Sequence, residues 1–125
     1  MVAKSDTPIS DKLELLFAMQ EMFGSKFNNF KEISKDYKTR QTKTLEFLGH
    51  LDEELIEMRR ELPIRKHWSA KKDNMPEWDK VLDEFVDALH FYLSIALING
   101  WTADDIFNAY CKKNNINFQR QKENY

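Results

Sequence analysis

Apolar residues return every three or four positions along most of this chain and never in strict alternation, so the pattern reads as helix throughout. Leu13, Leu16, Phe17 and Met19, with Gln20 in the same run, follow Pro8 and Ser10. Ser10 or Asp11 caps a helix that reaches about Gly24. After a break near that glycine, Phe27, Phe30, Ile33 and Tyr37 keep a helical spacing. Leu45, Leu48, Leu51, Leu55, Met58 and Leu62 form one stripe on a helix from about Thr39 to Leu62, which Pro63 ends. A polar and basic link, PIRKHWSAKKDNM (63–75), leads to Pro76 in the first turn of a third helix, which spans about Pro76 to Asn99 with Gly100 as its C-cap. Thr102 opens a fourth helix, with Asp104 and Asp105 in its first turn where the helix dipole favours them. Residues 114–125 read as a polar and basic tail. The pattern predicts an all-α bundle of four to five helices, one domain over residues 1–125.

The third helix carries the chemistry. Val81, Leu82, Phe85, Val86, Leu89, Tyr92, Leu93 and Ala96 make one broad apolar face, and Ala88, Phe91, Ile95 and Ile98 line another side. A helix apolar nearly all round is expected to be buried. Glu84 and Asp87 fall on that second side, three residues apart and so one turn above each other. Carboxylates in such a setting must be protonated, paired with cations or bound to metal. Glu53, Glu54 and Glu57 edge the leucine stripe of the second helix, and Glu54 and Glu57 again stand three apart. Two antiparallel helices of this kind can place four carboxylates around one cavity, an all-oxygen set suited to Mg²⁺ or Mn²⁺. The plainer alternative is a solvated acidic face, or salt bridges from Glu84 and Asp87 to Arg59 or Arg60.

Composition narrows the choices. Nineteen Lys and Arg against 21 Asp and Glu leave a net charge of −2, which argues against a protein built to coat nucleic acid. The single cysteine, Cys111, excludes an internal disulfide and a multi-thiolate zinc site, and fits a reducing compartment. The polar start and the lack of a long apolar run predict a soluble cytoplasmic protein without a membrane span. A ferritin-like di-iron centre needs two Glu-x-x-His steps; His90 follows Asp87 at that step, but neither His50 nor His67 follows an acid so. Arg59, Arg60, Arg65, Lys66, Lys71 and Lys72 lie between the two acidic pairs, either as an ordinary solvated link or as a phosphate clamp beside a metal. Trp68 within that cluster is either a packing residue or a stacking face for a base. No glycine-rich phosphate loop occurs.

EELIE (53–57), KHWS (66–69), EFVDALHFYLSIAL (84–97) and NFQRQKENY (117–125), with LLFAMQEMF (15–23) near the start, resemble the dimeric all-α dUTP pyrophosphatases, relatives of the MazG-like nucleotide pyrophosphatases. The resemblance runs from about residue 13 to the end. It implies a helical homodimer that hydrolyses dUTP, and often dUDP, to dUMP and needs Mg²⁺, with Mn²⁺ as an alternative. It places the metal ligands at Glu54, Glu57, Glu84 and Asp87; at such a site Glu54 or Glu57 could serve as the base that activates water. It places uracil and deoxyribose contacts at Gln20, Trp68 and Phe91, with His90 beside the site. Asn117, Arg120 and Tyr125 fall in a C-terminal motif that closes on the nucleotide, and Lys113 could serve the phosphates. The short chain and the basic link depart from the family pattern, so a MazG-like enzyme for another deoxynucleotide such as dCTP stays open. So does a non-catalytic helical dimerisation module. Phe23, Phe27 and Phe30 are the apolar surface a second subunit could cover, unless they close the core of their own chain.

Overall fold

A computed structural model describes residues 11–123. It contains five helices and, among the described residues, no strand: α1 (Lys12–Gly24), α2 (Phe30–Lys35), α3 (Tyr37–Arg60), α4 (Trp78–Ile98) and α5 (Ala103–Lys122). Two short 3₁₀ turns, Pro63–Arg65 and Ala70–Asp73, punctuate the link between α3 and α4. No helix among the described residues is long and apolar enough to cross a membrane.

Local chemistry sets the helix ends. The Asp11 carboxylate accepts from the Glu14 amide at 3.2 Å and starts α1. Asn29 does the same for Glu32 and starts α2, and Asp36 accepts from Lys38 and starts α3. The Asp36 cap splits the helical stretch expected to run on to Tyr37, which is instead the first residue of α3. Asp36 itself is held below the usual carboxylate range by the Thr39 hydroxyl, which donates to it at 2.7 Å. Gly100, at φ +71°, turns the chain out of α4. The Gly100 amide bonds the Leu97 carbonyl and the Trp101 amide bonds that of Ala96, the paired closure of a glycine-terminated helix. Thr102 and Asp105 then cap each other's backbone amides and launch α5.

α4 is the centre of the bundle. Leu93 and Ala96 meet Phe17 of α1 and Ala103 of α5. Ile98 meets Phe30 and Ile33 of α2, and Ala88 and Ile95 meet Leu51 of α3. α3 and α4 run antiparallel: Asn99 at the end of α4 accepts from Arg40 Nε at 2.8 Å and donates to Thr44 Oγ1 at 3.0 Å, both near the start of α3.

Three expectations need correction, and one open alternative is divided between its two outcomes. Only part of the leucine stripe of α3 faces inward: Leu51 and Leu55 do, joined by Phe47, whereas Leu45 and Leu48 are exposed. The inner face is therefore turned, which moves Glu54 from the edge of the stripe onto the side that meets α4. Nor is α4 buried all round, since Leu82, Phe85, Val86 and Tyr92 remain exposed in the protomer. Phe30 closes the core of its own chain, whereas Phe23 and Phe27 are exposed, their rings edge to face at 5.8 Å. The polar tail is helical as far as Lys122, because residues 103–122 contain neither Gly nor Pro and a capping box starts them well. Beyond Cys111 every described residue of α5 is exposed, so no apolar periodicity was there to announce it.

Candidate functional site

Antiparallel packing of α3 on α4 brings Glu54 opposite Glu84 and Asp87. One carboxylate oxygen from each lies within 4.8 Å of the others. Glu57, one turn along α3, adds its charge to the same group. So the two acidic pairs, 27 residues or more apart in sequence, form one centre.

The centre is short of positive charge. Glu54 Oε2 and Glu84 Oε2 are buried without a hydrogen-bond partner. The ion pairs of the described residues join Lys35 to Glu32, Lys43 to Glu46 and Lys80 to Glu77, and none reaches the four carboxylates. Salt bridges from Arg59 or Arg60, the plainer alternative, are thus not formed. Burial pushes the Glu54 carboxyl up to about 7, helped by its hydrogen bond with Glu84 and by the charges of Glu57, Asp87 and Glu84. Burial also raises Glu84, while its bond with Glu54 opposes the rise. Both carboxyls are thus pushed toward the protonated form, and they titrate as a coupled pair.

Three clustered carboxylates alone are commonplace. Two buried, unpartnered oxygens among them, with no ion pair to them among the described residues, leave a centre completed either by protons or by a metal. The donor set is hard and all-oxygen, which fits Mg²⁺ or Mn²⁺ and not Zn²⁺ or copper.

Beside this centre opens a cleft of about 860 Å³, within the size range of small-molecule sites, roughly 300–1,000 Å³. α1 contributes Gln20 and Phe23, the following loop Phe27, α3 Phe47, His50 and Glu54, and α4 Asp87, His90, Phe91 and Ser94. The walls are mainly apolar, and the carboxylates stand at one side. The His50 ring lies tilted against Phe91 at 5.4 Å, and the edge of Phe47 meets both. Gln20 Nε2 donates to Ser94 Oγ at 2.9 Å, joining α1 to α4 inside the cleft.

Of the residues expected to serve the site, Glu54, Asp87, Gln20, His90 and Phe91 line this cleft, and Glu57 and Glu84 belong to the adjoining carboxylate centre. Trp68 is exposed on the α3–α4 link, its ring edge to face with His67 at 5.1 Å, and is not among the lining residues. Lys113, Asn117 and Arg120 lie on the exposed distal half of α5 and do not line the cleft either. Tyr125 lies outside the described residues. His50 and Ser94 were missed. His50 was findable: it stands four residues before Glu54 and so shares its helix face. Ser94 reads in sequence as a small core position and gives no such signal.

The sequence profile of the dUTPase family matches this chain over residues 12–102 and 95–125. No curated protein and no solved structure shows a match. The profile spans all five helices, the carboxylate centre and the cleft beside it, and the chain belongs to the all-α dUTPase family.

Proposed function

We propose that this protein hydrolyses dUTP, and also dUDP, to dUMP, using a divalent metal held by Glu54, Glu57, Glu84 and Asp87. The observation that carries the reading is the pair of buried, unpartnered oxygens of Glu54 and Glu84 at the side of a nucleotide-sized cleft. Bound there, Mg²⁺ supplies positive charge against the phosphate chain and lowers the pKa of water. Mn²⁺ has the same ligand preference.

The chain's own residues do the rest. The nucleoside enters the apolar part of the cleft between Gln20 and Phe91, with His90 at its wall. The phosphates lie toward the carboxylates. Glu54 or Glu57 accepts the proton of the attacking water, since both stand on the α3 side of the centre. Lys113, Asn117, Arg120 and Tyr125 would close over the phosphates from the C-terminal end, and Trp68 from the basic link. Trp68, Lys113, Asn117 and Arg120 do not line the cleft of the protomer, so their contribution requires movement of α5 and the link, or a second copy of the chain.

A homodimer is part of this proposal. Leu82, Phe85, Val86 and Tyr92 are exposed apolar side chains on α4, a surface that a second copy of the chain would cover. The cytoplasm suits a chain with a single cysteine.

Product analysis with dUTP, dCTP, dTTP and UTP, each with and without Mg²⁺, tests the reading. Mg²⁺-dependent formation of dUMP with little turnover of the others is expected. Glu84→Gln should abolish turnover with helical content unchanged. Full activity in that variant, or no turnover of any nucleotide with Mg²⁺ or Mn²⁺, would sink the assignment.

A further inference from the structure

Only two polar residues appear among the buried side chains of the described residues, Gln20 at 8% exposure and Ser94 at 3%. They are bonded to each other and both line the cleft. Buried polar groups with a choice of partners are costly unless each is satisfied in one arrangement, so such a pair fixes orientation as well as energy.

A glutamine amide has two faces with opposite chemistry, a carbonyl that accepts and an NH₂ that donates. Here the NH₂ is turned to Ser94 Oγ. The carbonyl oxygen takes no hydrogen bond from the described residues. It is also absent from the buried, unpartnered atoms, which are the oxygens of Glu54 and Glu84, so it opens to the cleft. The cleft therefore presents an acceptor at this point.

We propose that Ser94 is a positioning residue that sets base preference by holding the Gln20 amide with its carbonyl toward the base. This rests on the reading of the cleft as a deoxynucleotide site. Uracil carries a hydrogen on N3 and can donate to that carbonyl. Cytosine has a bare lone pair at N3 and meets it acceptor to acceptor. A site built to satisfy one hydrogen bond rejects the analogue that cannot make it. Released from Ser94, the amide can rotate about its last bond and offer NH₂ to cytosine instead. Thymine carries the same N3–H as uracil, so Ser94 has no part in excluding its methyl group.

The test is the ratio of kcat/KM for dUTP to that for dCTP in the parent, Ser94→Ala, Gln20→Ala and the double variant. Ser94→Ala removes one oxygen and places a good helix former in α4, so the fold is kept. It should lower the dUTP:dCTP ratio about tenfold, the worth of one net hydrogen bond. It should leave the dUTP:dTTP ratio where it was. In the Gln20→Ala background the same change should leave the dUTP:dCTP ratio unmoved, because Ser94 acts through Gln20. A mere packing role would move the uracil and thymine nucleotides together and would persist without Gln20. Either of those results overturns the proposal, as does an unchanged dUTP:dCTP ratio in Ser94→Ala. A parent with no preference for dUTP over dCTP removes the underlying reading and the proposal with it. A selective parent whose ratio survives Ser94→Ala overturns the proposal alone.

Discussion

Replacing Glu54 by Gln should make the metal-free protein more stable at alkaline pH while removing the group the centre is built around. The folded state lifts this carboxyl from 4.5 to about 7. Between those values the folded chain binds a proton that the unfolded chain has lost. Stability from this group is therefore fully kept below about pH 4.5, declines as pH rises through the window and levels off above about 7. A shift of that size corresponds to at most about 3–4 kcal/mol at 1.36 kcal/mol per unit. Glu54 is only half-buried, so solvent screening brings the cost to about 1–2 kcal/mol. Glutamine cannot ionise, yet its NH₂ can donate to Glu84 as the protonated acid does. Urea unfolding followed by circular dichroism in EDTA, at intervals from about pH 5 to 8, reads the difference between parent and variant. The two should lie closest near pH 5 and diverge toward pH 8, with the variant the more stable there by about 1–2 kcal/mol. A variant less stable than the parent at about pH 8, or a gap independent of pH, would refute the account of a proton-starved carboxylate cluster.

Metal should act on the same strain from the other side. Near pH 8, Mg²⁺ or Mn²⁺ at a hundred times its dissociation constant should stabilise the parent by about 2.7 kcal/mol in urea titrations, and Glu84→Gln should lose most of that gain. Gly24→Ala should cost about 1–3 kcal/mol by thermal or urea unfolding, since a Cβ there would lie 2.6 Å from Cζ of Phe30, a buried core ring that must shift to admit it. Phe85→Asp places a charge in the exposed stripe of α4; light scattering should show a shift from dimer to monomer, with circular dichroism unchanged.

Where a signal is local, the sequence was a good guide. The acidic spacings on α3 and α4, Gly100 with its positive φ and the Thr102 cap each act within a turn or two of chain, and each stands where it was expected. Rotation about a helix axis was harder to read. Leu45 and Leu48 belong to the same stripe as Leu51, yet Phe47 and Leu51 face the core, because the fit to Ala88, Ile95 and Phe91 decides the rotation. The start of α4 fell at Trp78 and not at Pro76, as Glu77 supplies the extended residue before the first turn. The distal half of α5 and the position of Trp68 were out of reach for another reason. Both are governed by what they pack against, and in the protomer their side chains meet mostly solvent. Gln20 entered through family resemblance alone, since a glutamine in a run of apolar residues does not reveal that a serine 74 residues away receives its amide.

The turn between α4 and α5 has a mechanical consequence. α5 is 20 residues long, about 30 Å at 1.5 Å per residue, and Ala103 in its first turn is its one buried residue. Its direction is set by the closed hydrogen bonds around Gly100 and the mutual caps of Thr102 and Asp105 and not by a long packed seam. Such an element works as a lever on a short pivot. A tilt of about 10° at the turn sweeps the far end of a rod of that length through about 5 Å, close to the pitch of one helical turn. Small adjustments at a four-residue joint thus become displacements large enough to carry Asn117 and Arg120 from one set of neighbours to another, with every backbone hydrogen bond of the helix intact.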